Sequence, residues 1–243
     1  MLFMLIDHVR ERIYLHMQVG DPMNIDSTSI DLFFTRMLAH LCAPVFVFLT
    51  GISAWLYAHP SNMAPRSPSR FLFMRGLFLI ALELTVINFS WMGQYDTLWL
   101  QVIWAIGVSM IFLSVMAQLP IRLIGIIGFI IVFGHNLLTP INFAPGETGF
   151  TLWTILHDRA YLISEGALKI RASYPVLPWM GVILLGYYAG PLYDKNTDSI
   201  FRIKFLIKLG LGCMFLLILL RSFNVYGETL PWEYGENLSL IHI

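Results

Sequence analysis

Apolar residues fall along this chain in long unbroken runs, not in the alternation of a sheet or the one-sided stripe of a surface helix. Six stretches are long enough to cross the roughly 30 Å of bilayer hydrocarbon: Leu38–Tyr57, Phe71–Phe89, Leu98–Met116, Ile121–Leu138, Val176–Leu192 and Phe201–Leu220. Leu123–Phe133 and Met214–Leu220 contain no polar side chain. A membrane barrel would alternate polar and apolar positions, so these runs exclude it. The expected fold is all-α: a polytopic transmembrane helix bundle of six full spans. Met1–Ile6 is apolar but too short to cross, and charged residues follow it, the reverse order of a signal peptide. It is expected to be the end of a truncated first helix.

Loop charge orients the bundle. Arg66 and Arg70, with Arg75 just inside the next span, Arg122 near Pro120, and Lys195, Arg202 and Lys204 after Leu192 lie on connections that alternate correctly to share one face. The loop from Ser90 to Thr97 carries Asp96 and no base. The excess of positive charge on cytoplasmic loops therefore places the basic set inside, and Asp7–Asp31 and the long Thr139–Tyr174 connection outside. Arg202, Lys204 and Lys208 must snorkel to one surface. Within the long connection, Phe150–Ile163 is aromatic and apolar and predicts a short interfacial helix.

Composition agrees: 57% of residues are apolar and 12% charged, and mean hydropathy is +0.70. Soluble domains run near a quarter charged. Fifteen basic residues balance fifteen acidic ones, so net charge recruits no nucleic acid. Cys42 and Cys213 fall inside apolar runs, away from any disulfide or thiolate-metal pattern. No metal site, phosphate loop or dinucleotide motif is present in the sequence. Residues 1–237 are expected to form a single integral-membrane domain truncated at both ends. The final LSLIHI, residues 238–243, resembles a translated sequencing-adaptor read.

The chemistry is carried by ionisable groups near or within the membrane, where each is costly and tends to face a bundle interior. Asp7, His8 and Arg10, followed by His16, form the most suggestive cluster: imidazole titrates near neutrality, as a general base must. Adjacent helical residues point about 100° apart, so Asp7 does not orient His8 directly. Arg36 and His40 share a helix face at i, i+4, just before Pro44. Glu83 has no base one turn away in its own helix and requires a partner from another, for which Arg36 or His40 are candidates; it serves either as structural glue or in proton handling. His135 and His157 are expected to be interfacial and surface residues. Gly186 with Gly190, and Gly125 with Gly128, suit close helix approach. A transporter would place Glu83, Arg36 and His40 around a midplane cavity, and a structural membrane subunit would need only their pairing.

The ordered segments DHVR from Asp7, FFTRMLAHLCAPVFVFLTGISAWLY from Phe33, RGLFLIALELTVINFSW from Arg75, QVIWAIGVSMI from Gln101 and LPWMGVILLGYYAG from Leu177 resemble the bacterial branch of the heparan-α-glucosaminide N-acetyltransferase catalytic-domain family. The resemblance implies an integral-membrane acyltransferase of the bacterial inner membrane. Such an enzyme takes an acetyl group from acetyl-CoA, its co-substrate, on the cytoplasmic side and passes it to an amino sugar or related glycan on the other. It also implies catalytic roles for His8, at the end of the first catalytic-domain helix, and for His16 in the loop after it. Asp7, Arg10, Arg36, His40 and Glu83 are then supporting or substrate-binding residues. His40 stands where lysosomal relatives carry an acidic residue. The expected partners are the lipid bilayer, acetyl-CoA and the acceptor, with a homo-oligomer left open.

Overall fold

The computed structural model describes residues 2–13 and 29–223. The chain forms two compact units, one of Met1–Val45 with Ser199–Ile243 and the other of Phe46–Asp198. In the first, helix α1 (Leu2–Ile13) packs against α2 (Ile30–Ala39), and α10 (Ser199–Phe223) is a single long helix. Helix α3 spans Cys42–Ala58. The break between α2 and α3 has a local cause. Pro44 offers no N–H to the carbonyl of His40 and its ring crowds that carbonyl, so the helix turns at His40 and Leu41.

The second unit is built from apolar helices. Helix α4 (Ser69–Leu82) runs through a π-helical turn at Glu83–Ile87 into α5 (Asn88–Met92) and stops at Gly93, whose φ of 72° is the left-handed conformation that closes helices. After strand β1 (Thr97–Leu100) come α6 (Val102–Met116), α7 (Ile121–Gly134) with a 3₁₀ turn at His135–Leu138, α8 (Phe150–Leu156), β2 (Tyr161–Ile163), β3 (Lys169–Ala172) and α9 (Leu177–Ala189). Helix α4 packs chiefly on α6, and α7 on α9.

Small residues set these crossings. Gly76 and Gly107 face each other, and a Cβ on either would lie 2.6–2.8 Å from the other's carbonyl oxygen. Likewise Gly51 and Gly186 bring the backbones of α3 and α9 together, with Gly186 against the Phe48 carbonyl. Gly125 receives the Tyr188 ring and Gly128 the side chains of Leu184 and Leu185, the close approach anticipated for that pair. Lipid is as apolar as leucine, so helices in a bilayer associate through such contact more than through hydrophobic burial.

The protein is mostly helical, and four helical segments among the described residues are long and apolar enough to cross a membrane: Phe33–Ala58, Ser69–Met92, Ile121–Leu138 and Ser199–Leu220. It is an integral membrane protein. The other two expected spans are helical but short, 15 residues in α6 and 13 in α9, so a count of six full spans exceeds what the described helices reach. Leu98–Leu100 is the reason for one deficit: it is drawn into β1.

The purely helical expectation also misses a three-stranded sheet of order β1-β3-β2, with β1 parallel to β3 and β2 antiparallel to it. This sheet joins the segment after the Ser90–Thr97 loop to the long Thr139–Tyr174 connection, two segments that the loop charges lead one to expect on the same side. The apolar Phe150–Ile163 stretch divides accordingly into α8 and β2. One sheet face packs on a core of Leu100, Trp104, Ala105 and Val176, with Ile170 and Leu162 against it.

Candidate functional site

At the start of α4, four side chains from three segments stack in order. The Arg66 guanidinium carbon lies 3.8 Å from the centre of the Tyr57 ring. Tyr57 stacks on Phe71 at 4.0 Å, the rings 7° from parallel. The Arg75 guanidinium carbon lies over Phe71, 4.7 Å from the ring centre. The helix spacing of Phe71 and Arg75 supplies half of this arrangement, and the loop after Ala58 folds back to supply the rest: the Arg66 amide donates to the Ala58 carbonyl at 2.9 Å and its Nε to the Tyr57 carbonyl at 3.0 Å.

A cavity of about 640 Å³ opens here, lined by Tyr57, Ser67, Arg70, Phe71, Arg75 and Phe78 among others. A second, of about 520 Å³, shares Arg75 and Phe78 with it and reaches Thr50, Ser53 and Met110. Among the described residues no carboxylate lies within ion-pair distance of Arg66, Arg70 or Arg75. The mouth is therefore an uncompensated cationic patch leading into an apolar groove, a shape suited to a ligand with anionic groups at one end and a slender, less polar arm. In the sequence these arginines signal orientation alone, through the charge of their loops. The i, i+4 spacing of Phe71 and Arg75 was the available signal for more.

At the other end of the same helical segment, which at 24 residues is about 36 Å long, buried polar groups form a knot. Glu83 is 1% exposed, and its Oε2 accepts the Trp104 amide of α6 at 3.3 Å. The partner expected from another helix is thus a backbone donor at a helix start, where the dipole also favours negative charge. Its Oε1 has no hydrogen-bond partner among the described residues. The π turn lets Asn88 reach the Glu83 carbonyl, with Nδ2 donating at 2.7 Å. π turns of this kind recur at functional sites.

The remaining expected site residues are dispersed. Asp7, His8 and Arg10 lie on α1, where His8 is exposed; His16 lies outside the described residues. At the C-terminal end of α2, Nδ1 of His40 donates to the Arg36 carbonyl at 2.9 Å, so this histidine caps the helix that precedes it. His157 differs from its expected surface role: its side chain is 10% exposed, and Nδ1 lies 2.8 Å from Asp158 Oδ1, with Nε2 3.1 Å from the His135 carbonyl. Both ring nitrogens face acceptors, so the group ties α8 to the end of α7 and leaves neither nitrogen open to a substrate.

Comparison with known families decides the class. The model of the family described as heparan-alpha-glucosaminide N-acetyltransferase, catalytic, matches residues 14–226. The chain belongs to this family. That membership makes a membrane acetyltransferase-type function the coarse assignment, and the match includes His16, Arg36, His40 and Glu83 while Asp7, His8 and Arg10 precede it. No curated protein and no solved structure matches the chain. Among the described residues no cluster of three or more metal-ligating side chains occurs.

Proposed function

We propose that this protein acetylates an amino sugar or related glycan across the bacterial inner membrane, taking the acetyl group from acetyl-CoA. The observation that carries the donor half is the cationic mouth at Arg66, Arg70 and Arg75. Phosphates of the donor pair with Arg70 and Arg75, and the pantetheine arm follows the groove toward Thr50 and Ser53, whose hydroxyls donate to the Phe46 and Leu49 carbonyls and keep lone pairs to accept from its amides. Family membership supports acetyl transfer, and loop charge supports a cytoplasmic mouth.

Transfer requires a proton to leave the acceptor ammonium, so that the amine can attack the thioester carbonyl and expel the CoA thiolate. His8 and His16 are the residues proposed to take it, either in direct transfer or through an acetyl-imidazole. Arg36, His40, Asp7, Arg10 and Glu83 are proposed to support the site.

The test is acetyl transfer by purified protein in proteoliposomes, with labelled acetyl-CoA on one side and glucosamine inside. Arg70→Gln and Arg75→Gln should each raise the KM for acetyl-CoA roughly tenfold, with a smaller effect on acetyl-dephospho-CoA if the 3′-phosphate is among the groups held. Absence of acetylated product from every amino sugar offered would overturn the reading, and proton-coupled uptake without acylation would favour a transporter.

A further inference from the structure

The face of the three-stranded sheet that is turned away from the core pairs cations with aromatic rings. The register sets Trp99 and Tyr161 opposite Arg171 on its two sides, and the guanidinium carbon lies 5.1 Å from the Trp99 ring centre and 5.2 Å from that of Tyr161. Lys169, two residues before Arg171 on the same strand, shares this face and is exposed, as are Ile163 and Leu168 beside it. Strand alternation turns Leu100, Ile170 and Ala172 the other way, into the core. No carboxylate among the described residues lies within ion-pair distance of Arg171 or Lys169.

The depth of this face follows from the helices. Helix α6 runs back along the Ser69–Met92 segment, and their contacts step in order: Gly76 against Gly107, Glu83 against Trp104, and Asn88 against Trp99 in the sheet. Asn88 stands eighteen residues beyond Arg70 on that segment, about 27 Å along its axis. Bilayer hydrocarbon is about 30 Å thick. With Arg70 at the headgroups of one leaflet, Trp99 therefore lies at the headgroup boundary of the other, and any tilt of the segment sinks it further. The Asn88 side chain accepts the Trp99 amide and donates to its carbonyl, so this part of the β1 edge is satisfied within the protein, as backbone near hydrocarbon must be.

From this placement we propose that Trp99, Arg171, Tyr161 and Lys169 form a binding site for the headgroup of an anionic phospholipid in the leaflet on the sheet's side. Aromatic rings settle at this boundary by themselves; the two cations add selectivity. The rings hold the guanidinium by its faces and leave its N–H edge for a phosphate oxygen. Residues i and i+2 of a strand stand about 7 Å apart, so Arg171 and Lys169 reach one phosphodiester together. A zwitterionic lipid also brings an ammonium group, which two unpaired cations repel, whereas phosphatidylglycerol brings none. A lipid held here fastens the sheet to the membrane surface, and the site needs neither acyl donor nor acceptor.

The experiment is photocrosslinking of the full chain in nanodiscs of mixed phosphatidylglycerol and phosphatidylcholine, with p-benzoylphenylalanine in place of Ile163 at the rim of the face and mass spectrometry of the lipid adduct. Phosphatidylglycerol should be captured roughly tenfold or more above its share of the bilayer, since each cation near the headgroups is worth about fivefold. Arg171→Gln and Lys169→Gln should each lower that preference about fivefold, and Arg171→Lys should keep most of it. Lys195→Gln, at an exposed position on another connection, should leave it unchanged. Lys169→Gln, also at an exposed position, carries the test should Arg171→Gln fail to fold. Capture of the two lipids in proportion to their abundance, a preference indifferent to both substitutions, or the absence of any lipid adduct would overturn the proposal. So would loss of the preference on adding millimolar glycerol 3-phosphate, which would mark a soluble phosphate as the ligand.

Discussion

Asn88 grips the peptide of Trp99 from both directions, with Oδ1 2.7 Å from its amide nitrogen and Nδ2 3.0 Å from its carbonyl oxygen. The same Nδ2 reaches the carbonyl of Glu83, five residues back. One buried amide thereby joins a membrane helix to the sheet beside it. Asn88→Ala would leave the Trp99 amide and two carbonyls without this partner in a site that water does not reach freely. The expected loss is about 2–3 kcal/mol of stability, read as a lowered thermal midpoint in detergent. Hydrogen exchange at the Trp99 amide should accelerate more than exchange in α7.

Glu83 sits one step deeper in this knot. Removing its carboxylate by Glu83→Ala strands the Trp104 amide and opens a cavity in a fully buried position, so a cost of roughly 2–4 kcal/mol is expected. Glu83→Gln keeps an acceptor for that amide and should cost clearly less. Thermal unfolding of the two variants side by side is the measurement. Equal destabilisation would show that the negative charge, not the hydrogen bond to Trp104, is what the site requires.

Helix approach predicts a sharp positional contrast among glycines. A methyl group at Gly186 meets the backbone of Phe48, which cannot move aside as a flexible side chain would, whereas one at Gly210 meets nothing within 4 Å. Gly186→Ala should therefore separate α3 from α9 at a cost of about 1–3 kcal/mol. Gly210→Ala should leave stability unchanged or raise it slightly, since alanine favours helix. Comparing the folded yields of the two variants tests the crossing.

The helical spans were legible because length and uninterrupted apolarity are global properties of a segment: Ile121–Leu138 is found with the bounds expected of it. The sheet was not. Strands of three and four residues are too short for alternation to stand out, and Thr97–Leu100 reads as a continuation of the apolar run that becomes α6. The Arg66–Tyr57–Phe71–Arg75 stack depends on a loop returning to its own helix, which local spacing reveals only for Phe71 and Arg75. Glu83 was recognisable as a buried carboxylate needing a partner, but its partner is a backbone N–H twenty-one residues away, and main-chain donors carry no sequence signature. His157 misled for a similar reason, since the carbonyl that buries it belongs to His135.

Sidedness is testable at exposed loop positions. After Cys42 and Cys213 are replaced by serine, Ser67→Cys and Gln94→Cys put single thiols at opposite ends of the Ser69–Met92 segment, both at exposed positions. The basic residues around Ser67 predict that it is cytoplasmic, and therefore unlabelled by an impermeant thiol reagent in intact cells, while Gln94→Cys is labelled. The opposite pattern would turn the cationic mouth away from the cytoplasm and with it from the cellular pool of acetyl-CoA.

The proton that acetyl transfer must remove makes the histidines the sharpest catalytic test. His8 is exposed on α1, and His16 lies within the family match; by contrast both nitrogens of His157 are turned to fixed acceptors, and Nδ1 of His40 is committed to the Arg36 carbonyl. Replacing the true base with alanine should slow transfer by roughly 10²- to 10⁴-fold, with acetyl-CoA binding and thermal stability close to those of the parent protein. A covalent route adds a second signature. An acetyl-imidazole intermediate should accumulate label from acetyl-CoA in the absence of acceptor, and the label should disappear in the variant lacking that histidine. Direct transfer leaves the protein unlabelled while keeping the same rate loss. Parent rates in both His8→Ala and His16→Ala would take these residues out of the mechanism and move the base to His40, through its Nε2, or to Glu83, whose Oε1 has no hydrogen-bond partner among the described residues.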